Sequence, residues 1–489
     1  MPLKAPSTSR QVEVERKFDV GESTLPPSFG GIPGISRIEK RPAQTLEARY
    51  FDTPARDLAS HRITLRRRTG GADAGWHLKL PAGPDVRTEI RAPLSDTVPD
   101  DVRDAVLAIV RDRELRPVAR ITTIREVQLL SDADGEPLAE FCDDRVTAWP
   151  GDAGAEQRWR EWELELARPD AVAKTELLDR LSTRLLDAGA TPARHASKLA
   201  RVLDRHDTNT MPADPLRRAV AAQVDQLLAW DRAVRADVDD AVHQMRVATR
   251  KIRSLLRASP ESFGVSDDPS VLDQLRELAA VLGEARDAEV LAERYRQALD
   301  RLPPQLVRGR VRERLVDDAQ DRYRAGLRRS LDVMRSQQYF RLLDALEALV
   351  AEPAATGAGQ KPKPAVGAGY KRVRKAAKTA ATTPDDGRDA ALHRIRKRAK
   401  RLRYIAAAVS MTKVAKRAEA IQSLLGEHQD SVVSRAHLQQ QADAASAAGE
   451  DTFTYGLLYQ QEADLAGSCR RQLPNALRKL DKAVRKKLR

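Results

Sequence analysis

The feature that most constrains this chain is a change of period near residue 213. Before it, short runs alternate at every second residue; after it, apolar residues recur at helical spacing over long stretches. A period of two puts neighbouring side chains on opposite faces of a strand, whereas a period near 3.6 gathers them along one side of a helix. A chain that switches between the two predicts separate bodies of different class. Its 489 residues suffice for two or three domains, each with its own core.

The alternating segments are Val12–Val20, Glu47–Asp52, Ile63–Arg68, Trp76–Leu80, Arg87–Ala92, Ile121–Leu130, Leu138–Val146 and Arg160–Ala167. Gly/Pro/Asp clusters separate them, and helix-like stretches interrupt at about 100–115 and 170–189. Eight strands joined by short turns predict a closed antiparallel barrel or tunnel over 11–205, after a disordered start at 1–10. Helical texture over Leu216–Ala258, Pro269–Leu302, Val307–Val350 and from about Tyr370 predicts an all-α bundle over 213–489. The whole is an α+β multidomain protein. The composition of 352–368 reads as a linker between halves at about 213–350 and 370–489.

Those halves repeat one another. His243-x-x-Arg246-x-x-x-Arg250-x-x-Arg253 matches His393-x-x-Arg396-x-x-x-Lys400-x-x-Arg403, and Leu282-Gly-Glu284-x-x-Asp287 matches Leu425-Gly-Glu427-x-x-Asp430. On a helix each first unit is a basic stripe, whose like charges repel by a few tenths of a kcal/mol per pair unless an anion neutralises them. Between Lys361 and Ser410, 15 basic residues face 3 acidic ones, which adds Lys371, Arg372, Arg374 and Lys375.

The strands also carry charge where a barrel interior would be. Glu13, Glu15 and Lys17 share one face of the first strand; Arg66 and Arg68, then Arg87 and Glu89, share faces of others. Arg120 lies upstream of Arg125, Glu161, Glu163 and Glu165 form a row, and Lys79 and Glu140 also fall in strands. Buried carboxylates and ammoniums need partners. Arg and Lys cradle phosphate oxygens, while carboxylates suit the hard cations Mg²⁺ and Mn²⁺.

Lys and Arg number 85 against 71 acidic residues, a net charge of +14, which favours polyanionic partners. Aromatics make up only 4% and do not interleave with the basic clusters, which weighs against a single-strand nucleic-acid platform. Cys142 and Cys469 are the only cysteines and suggest neither a disulfide framework nor a zinc site. No leader or membrane-spanning run is evident, so a cytoplasmic location is expected.

The ordered set Glu13-x-Glu15-x-Lys17, Leu65-Arg66-Arg67-Arg68, Trp76-His-Leu-Lys79, Arg87-Thr-Glu89 and Glu161-Trp-Glu163-Leu-Glu165 resembles the CYTH domains, or triphosphate tunnel metalloenzymes. That resemblance implies metal-dependent hydrolysis of inorganic triphosphate, with adenylyl cyclase or organic triphosphatase activity as alternatives. It further implies Lys17, Arg66, Arg68, Lys79, Arg87, Arg125 and Lys198 as triphosphate ligands, with Arg120 as a weaker member. Glu13, Glu15, Glu163 and Glu165, supported by Glu89 and Asp144, would hold Mg²⁺ or Mn²⁺, and Glu13, Glu15, Lys17 and Arg125 would carry catalysis. Thr123 stands where family members often have a lysine.

The duplicated half resembles the CHAD domains, helical modules associated with polyphosphate. Polyphosphate would then contact His243, Arg246, Arg250, Arg253, Lys371, Arg374, His393, Arg396, Lys400 and Arg403, with granule association as a corollary. A non-catalytic polyphosphate-targeting protein is the remaining alternative.

Overall fold

A computed structural model describes residues 8–151, 154–167, 172–204, 214–257, 263, 270–351 and 362–488. Two compact units divide the chain, Met1–Thr210 and Met211–Arg489.

The first unit contains β1 (Ser9–Val20), β2 (Arg37–Lys40), β3 (Gln44–Asp52), β4 (Thr64–Thr69), β5 (Gly75–Gly83), β6 (Val86–Ala92), β7 (Arg116–Ser131), β8 (Pro137–Pro150), β9 (Gln157–Leu166) and β10 (Thr191–Pro192). Eight of them close an antiparallel barrel in the order β1-β6-β5-β4-β3-β7-β8-β9 and back to β1. The eight expected strands are these eight. The two short additions, β2 on β7 and β10 on β1, carry too few residues to show a period. β1 starts at Ser9, inside the stretch expected to be disordered, because Ser9 to Val14 pair with β6.

Alternation separates the barrel's two faces. Val14 and Phe18 on β1 and Trp162 and Leu164 on β9 turn outward, under Leu177, Leu181 and Leu185 of α4 (Val172–Asp187). At one end the interior itself is apolar: Ala48, Ile121, Ala148 and Trp159 pack on Leu199, Val202 and Leu203. The first two of those three leucine and valine side chains belong to a short helix, α5 (Lys198–Val202), whose start is capped by the Ser197 hydroxyl accepting from Ala200 N–H. The earlier helix-like stretch resolves into short helices α2 (Asp100–Asp104) and α3 (Leu107–Val110), preceded by the single turn α1 (Asp57–Ser60).

The second unit is helical: α6 (Pro215–Arg235), α7 (Ala241–Leu256), α8 (Ser270–Asp300), α9 (Asp318–Met334), α10 (Gln337–Ala351), α11 (Pro362–Thr382), α12 (Asp385–Ala408), α13 (Thr412–Ala447) and α14 (Phe453–Leu488). The expected run Leu216–Ala258 breaks between α6 and α7, where Asp237 and Asp240 take positive φ of 47° and 59°. Of the expected linker, 352–361 lie outside the described residues, and α11 begins at Pro362. Burial of Val366 and Tyr370 with Leu402 overrides the linker-like composition there, and Gly369 leaves only 3.2 Å between a hypothetical Cβ and Leu402.

The duplication is visible in the helices. Each basic stripe occupies one helix, α7 or α12, and each Leu-Gly-Glu-x-x-Asp unit lies in the long helix that follows, α8 or α13. Tyr295, Leu299 and Leu315 from the first half share a core with Leu438, Tyr455 and Leu458 from the second.

Candidate functional site

Contacts that skip a strand identify the concave face of the barrel. Lys79 on β5 reaches Glu13 on β1 at 2.6 Å and Glu15 at 3.6 Å, across the intervening β6. Arg125 on β7 reaches Glu163 on β9 at 2.5 Å, across β8. These contacts turn β1, β5, β7 and β9 toward one lumen, and Arg66 on β4 joins them within the fields of Glu89 on β6 and Arg125 on β7.

Its acidic side forms two groups. In one, Asp144, Glu161 and Glu163 offer carboxylate oxygens within 4.8 Å of one another. Arg125 binds Asp144 with two hydrogen bonds of 2.8 and 2.6 Å, and Lys17 pairs with Glu163. The Lys198 ammonium lies 2.8, 2.7 and 2.8 Å from Asp144, Glu161 and Glu163 respectively. In the other group, Glu13, Glu15 and Glu165 crowd around Lys79.

These groups feel each other's fields. Burial would raise the Glu15 carboxyl, but the Lys17 and Lys79 ammoniums outweigh it and hold it at about 2. Glu165 is pushed up to about 7 by burial and by Glu13, Glu15 and Glu163, more than Lys79 offsets. Glu13 is also raised, by burial and by Glu89. A carboxylate cluster that cannot keep all its charges is short of cations, and its donors are hard oxygens. The residues present therefore fit a divalent ion of the Mg²⁺ or Mn²⁺ kind.

The basic side is β4 with β7. Arg68 is lowered to about 9 by burial and by its neighbours Arg66 and Arg125. Arg66 and Arg125 are instead raised, Arg66 by Tyr50 and Glu89 and Arg125 by Asp144 and Glu163. Arg68 pairs with Asp73 but is the guanidinium left short of negative charge, and an anion beside it would supply that charge. Tyr50 donates nothing to this repulsion; its hydroxyl accepts from Arg66 at 3.4 Å.

His77, Arg91 and Glu161 belong to this lumen although the motif argument did not single them out as ligands. The His77 ring contacts the Glu89 carboxylate at 2.9 Å and the Asp73 carbonyl at 2.8 Å, and burial drops it to about 4, so it is neutral at pH 7. Arg91 pairs with Glu89 and approaches Glu13 at 3.4 Å. Alternation could have found them, since His77 shares a face with Lys79 and Arg91 with Arg87 and Glu89. Glu89 is thus engaged with His77 and Arg91. Arg87 is half-buried and donates to the Ala196 carbonyl at 3.4 Å. Thr123 is buried on the face it shares with Arg125. Cys142 lies between the acidic strands and is pushed up to about 12 by burial, which leaves it an inert thiol.

Arg120 is not brought to the lumen. It sits at an outward alternate position of β7, exposed, with its guanidinium 4.5 Å from the Trp149 ring. The odd spacing to Arg125 fixes this: five residues along a regular strand reverses the face.

In the second unit the stripes of α7 and α12 face each other. Lys400 is lowered to about 6 by burial, with Arg250, Arg396, Arg246 and Arg403 adding repulsion. Burial lowers both His243 and His393 as well, with Arg286 the next largest influence on the first and Lys397 on the second. Arg246 lies flat across Gly283, where an added Cβ would stand 3.1 Å from its guanidinium, and Arg396 lies across Gly426 at 3.4 Å. The repeated glycine of Leu-Gly-Glu-x-x-Asp exists to let the arginine cross. Arg246 also reaches Asp287 at 3.6 Å, and Asp430 is held partly in check by Arg396.

Residues 11–196 match the CYTH domain family and residues 218–439 match the CHAD domain family. The chain belongs to both, as a CYTH–CHAD fusion. Two proteins of Mycobacterium tuberculosis, from strains CDC 1551 / Oshkosh and ATCC 25618 / H37Rv, are each 64% identical over 510 residues. Each match covers 99% of this chain and 99% of the relative, and both are described only as uncharacterised. Among solved structures, PptA from Streptomyces chartreusis is similar at 20% identity and a TM-score of 0.48, over 55% of this chain and 100% of that one.

The CHAD domain gathers most of the expected stripe but not all of it. Arg253 turns toward Arg257, Arg276 and Asp273. Lys371 and Arg374 are exposed on α11, where Arg374 influences Tyr370 and Asp481 of α14 rather than the facing stripes. Arg403 is tied to Glu419 at 2.8 Å. Tyr404, with Lys400 and Arg403 5.8 and 5.7 Å from its ring, and Lys251, lowered by burial and by Arg403, join the cluster without having been expected. No described helix is long and apolar enough to cross a membrane.

Proposed function

We propose that the CYTH tunnel hydrolyses inorganic triphosphate with Mg²⁺ or Mn²⁺, and that the CHAD domain binds polyphosphate. The observation that carries the first part is the mixed lining of the lumen, where Arg66, Arg68 and Arg125 stand beside two groups of buried carboxylates. A phosphate chain between them neutralises the guanidiniums, and bidentate forks hold its oxygens.

Phosphoryl transfer needs mainly positioning and charge stabilisation. Arg66, Arg68 and Arg125 hold the chain, while Lys17 and Lys79 keep Glu15 ionised beside it. Glu13, Glu15 and Glu165 on one side, and Asp144, Glu161 and Glu163 on the other, would hold the metal. Bound there, it would neutralise phosphate oxygens and lower the pKa of a water. Water adds to the terminal phosphorus, the bridging P–O bond breaks, and orthophosphate and pyrophosphate leave.

The second part rests on the facing stripes, where burial and four surrounding guanidiniums lower Lys400 to about 6. A substrate panel tests both parts: triphosphate, longer polyphosphates, ATP and thiamine triphosphate, each with Mg²⁺ or Mn²⁺. Phosphate from triphosphate ahead of the others is expected. Cyclic AMP from ATP as the main product would replace the hydrolase with a cyclase.

A further inference from the structure

Lys198 stands in an unusual place. Its side chain is 8% exposed, it starts the helix whose next residues close the apolar end of the barrel, and its ammonium touches all three carboxylates of the Asp144–Glu161–Glu163 group. The position is the centre of the only such group of three among the described residues. An ammonium at 2.7–2.8 Å from three carboxylates satisfies them as a cation would.

The fit is nevertheless incomplete. Glu161 Oε1 is buried and lacks a well-directed hydrogen bond, although Lys198 Nζ is 2.7 Å away. The second Glu161 oxygen accepts from the Trp159 indole at 2.5 Å. One oxygen of the group therefore has charge nearby but no donor pointed at it.

We infer that Lys198 is a resident cation that holds the Asp144–Glu161–Glu163 group until a divalent ion displaces it. The inference rests on the metal-dependent reading of the tunnel. Lys198 then has two positions. In the empty tunnel its ammonium fills the carboxylate group; once displaced, its flexible stem carries the charge into the lumen, where a phosphate chain is the natural new partner. Metal alone binds weakly because it must evict a buried ion pair. Metal arriving with phosphate binds well because the evicted ammonium gains an acceptor. Lys198 is a positioning residue that makes the site load both components together.

The test is Mn²⁺ affinity of the full chain without phosphate, read by electron paramagnetic resonance of free Mn²⁺. Lys198→Met should tighten Mn²⁺ on the order of tenfold or more, since it removes a full charge from contact distance. Lys198→Gln, whose amide still donates to the buried oxygens, should do the same if the methionine variant folds poorly. Lys198→Arg, which keeps the charge, should show no gain. Arg66→Met separates contact from field: it removes a lumen guanidinium whose hydrogen bond goes to the Tyr50 hydroxyl and not to either carboxylate group, and should gain less than about threefold. Wild-type binding with no gain in either neutral Lys198 variant, or an equal gain in Arg66→Met, overturns this inference alone. Mn²⁺ bound by neither the wild type nor the Lys198 variants overturns it together with the metal-dependent reading.

Discussion

Lys400 offers a direct test of what the facing stripes bind. It is lowered to about 6, first by burial and then by Arg250, Arg396, Arg246 and Arg403. At pH 8 the free CHAD domain therefore holds this lysine neutral. A polyphosphate chain among those residues cancels the repulsion and restores the ammonium, so binding takes up a proton wherever the pH lies above about 6. Below that value Lys400 is charged in both states and contributes no pH dependence. Well above it, affinity falls about tenfold per pH unit from this group until the bound-state value is reached, or about 50-fold between pH 6 and pH 8. Folding stability runs the other way: the unfolded chain keeps a lysine of ordinary pKa, so the free domain gains stability from this group as pH rises from about 6 toward 10.5. Calorimetry at pH 7.5 and constant ionic strength, in two buffers of different ionisation enthalpy, counts the protons. Uptake approaching one is expected for the wild type, and close to zero for Lys400→Met and for Lys400→Arg. Equal uptake in wild type and Lys400→Met would refute the assignment, because the proton would then belong elsewhere.

In the tunnel, Glu13→Ala removes the nearer of the two carboxylates that Lys79 contacts and one of the two that Arg91 contacts, and Lys17→Ala uncovers Glu15 and Glu163. Each should abolish metal-dependent phosphate release from triphosphate; wild-type rates in both would reject the tunnel as the active site. Arg68→Met relieves repulsion from Arg66 and Arg125 but removes an anion ligand, so steady-state kinetics should show KM for triphosphate rising about tenfold, one charged hydrogen bond's worth, and an unchanged KM excludes Arg68 from substrate binding. Gly283→Ala and Gly426→Ala push a methyl against Arg246 or Arg396, at 3.1 and 3.4 Å. Alanine favours a helix over glycine by up to about 1 kcal/mol, so thermal melting should hold steady or rise while polyphosphate affinity drops severalfold. Loss of both together would mean that the glycines serve packing alone.

Why the barrel was legible before its coordinates, and the groove only in part, follows from how each element encodes its faces. A strand has two faces and a rigid period, so Glu13, Glu15 and Lys17 could be assigned to one side with no knowledge of the neighbours. Their partners on β4, β5, β6 and β9 came from the same rule. The rule also excludes Arg120, five positions before Arg125, and includes His77 and Arg91, each two positions from a residue already assigned; it had only to be applied without exception. A helix has no such binary code. His243, Arg246, Arg250 and Arg253 share a stripe about 3.6 residues wide in period, but only packing decides which edge of the stripe meets another helix. Arg253 drifts to the edge facing Arg276, while Lys251, one position after Arg250, turns toward Arg403 on α12. The linker-like composition before Tyr370 misled for a related reason, since burial of Val366 against α12 depends on contacts remote in sequence. Pairwise placement of charges across the lumen was legible least of all. Lys198 follows Glu163 by 35 positions, and no local period relates an α5 residue to a β9 carboxylate. What sequence could offer there was the count: a lumen with six carboxylates from β1, β8 and β9 requires buried cations, and among the described residues Lys198 supplies one from outside the barrel strands.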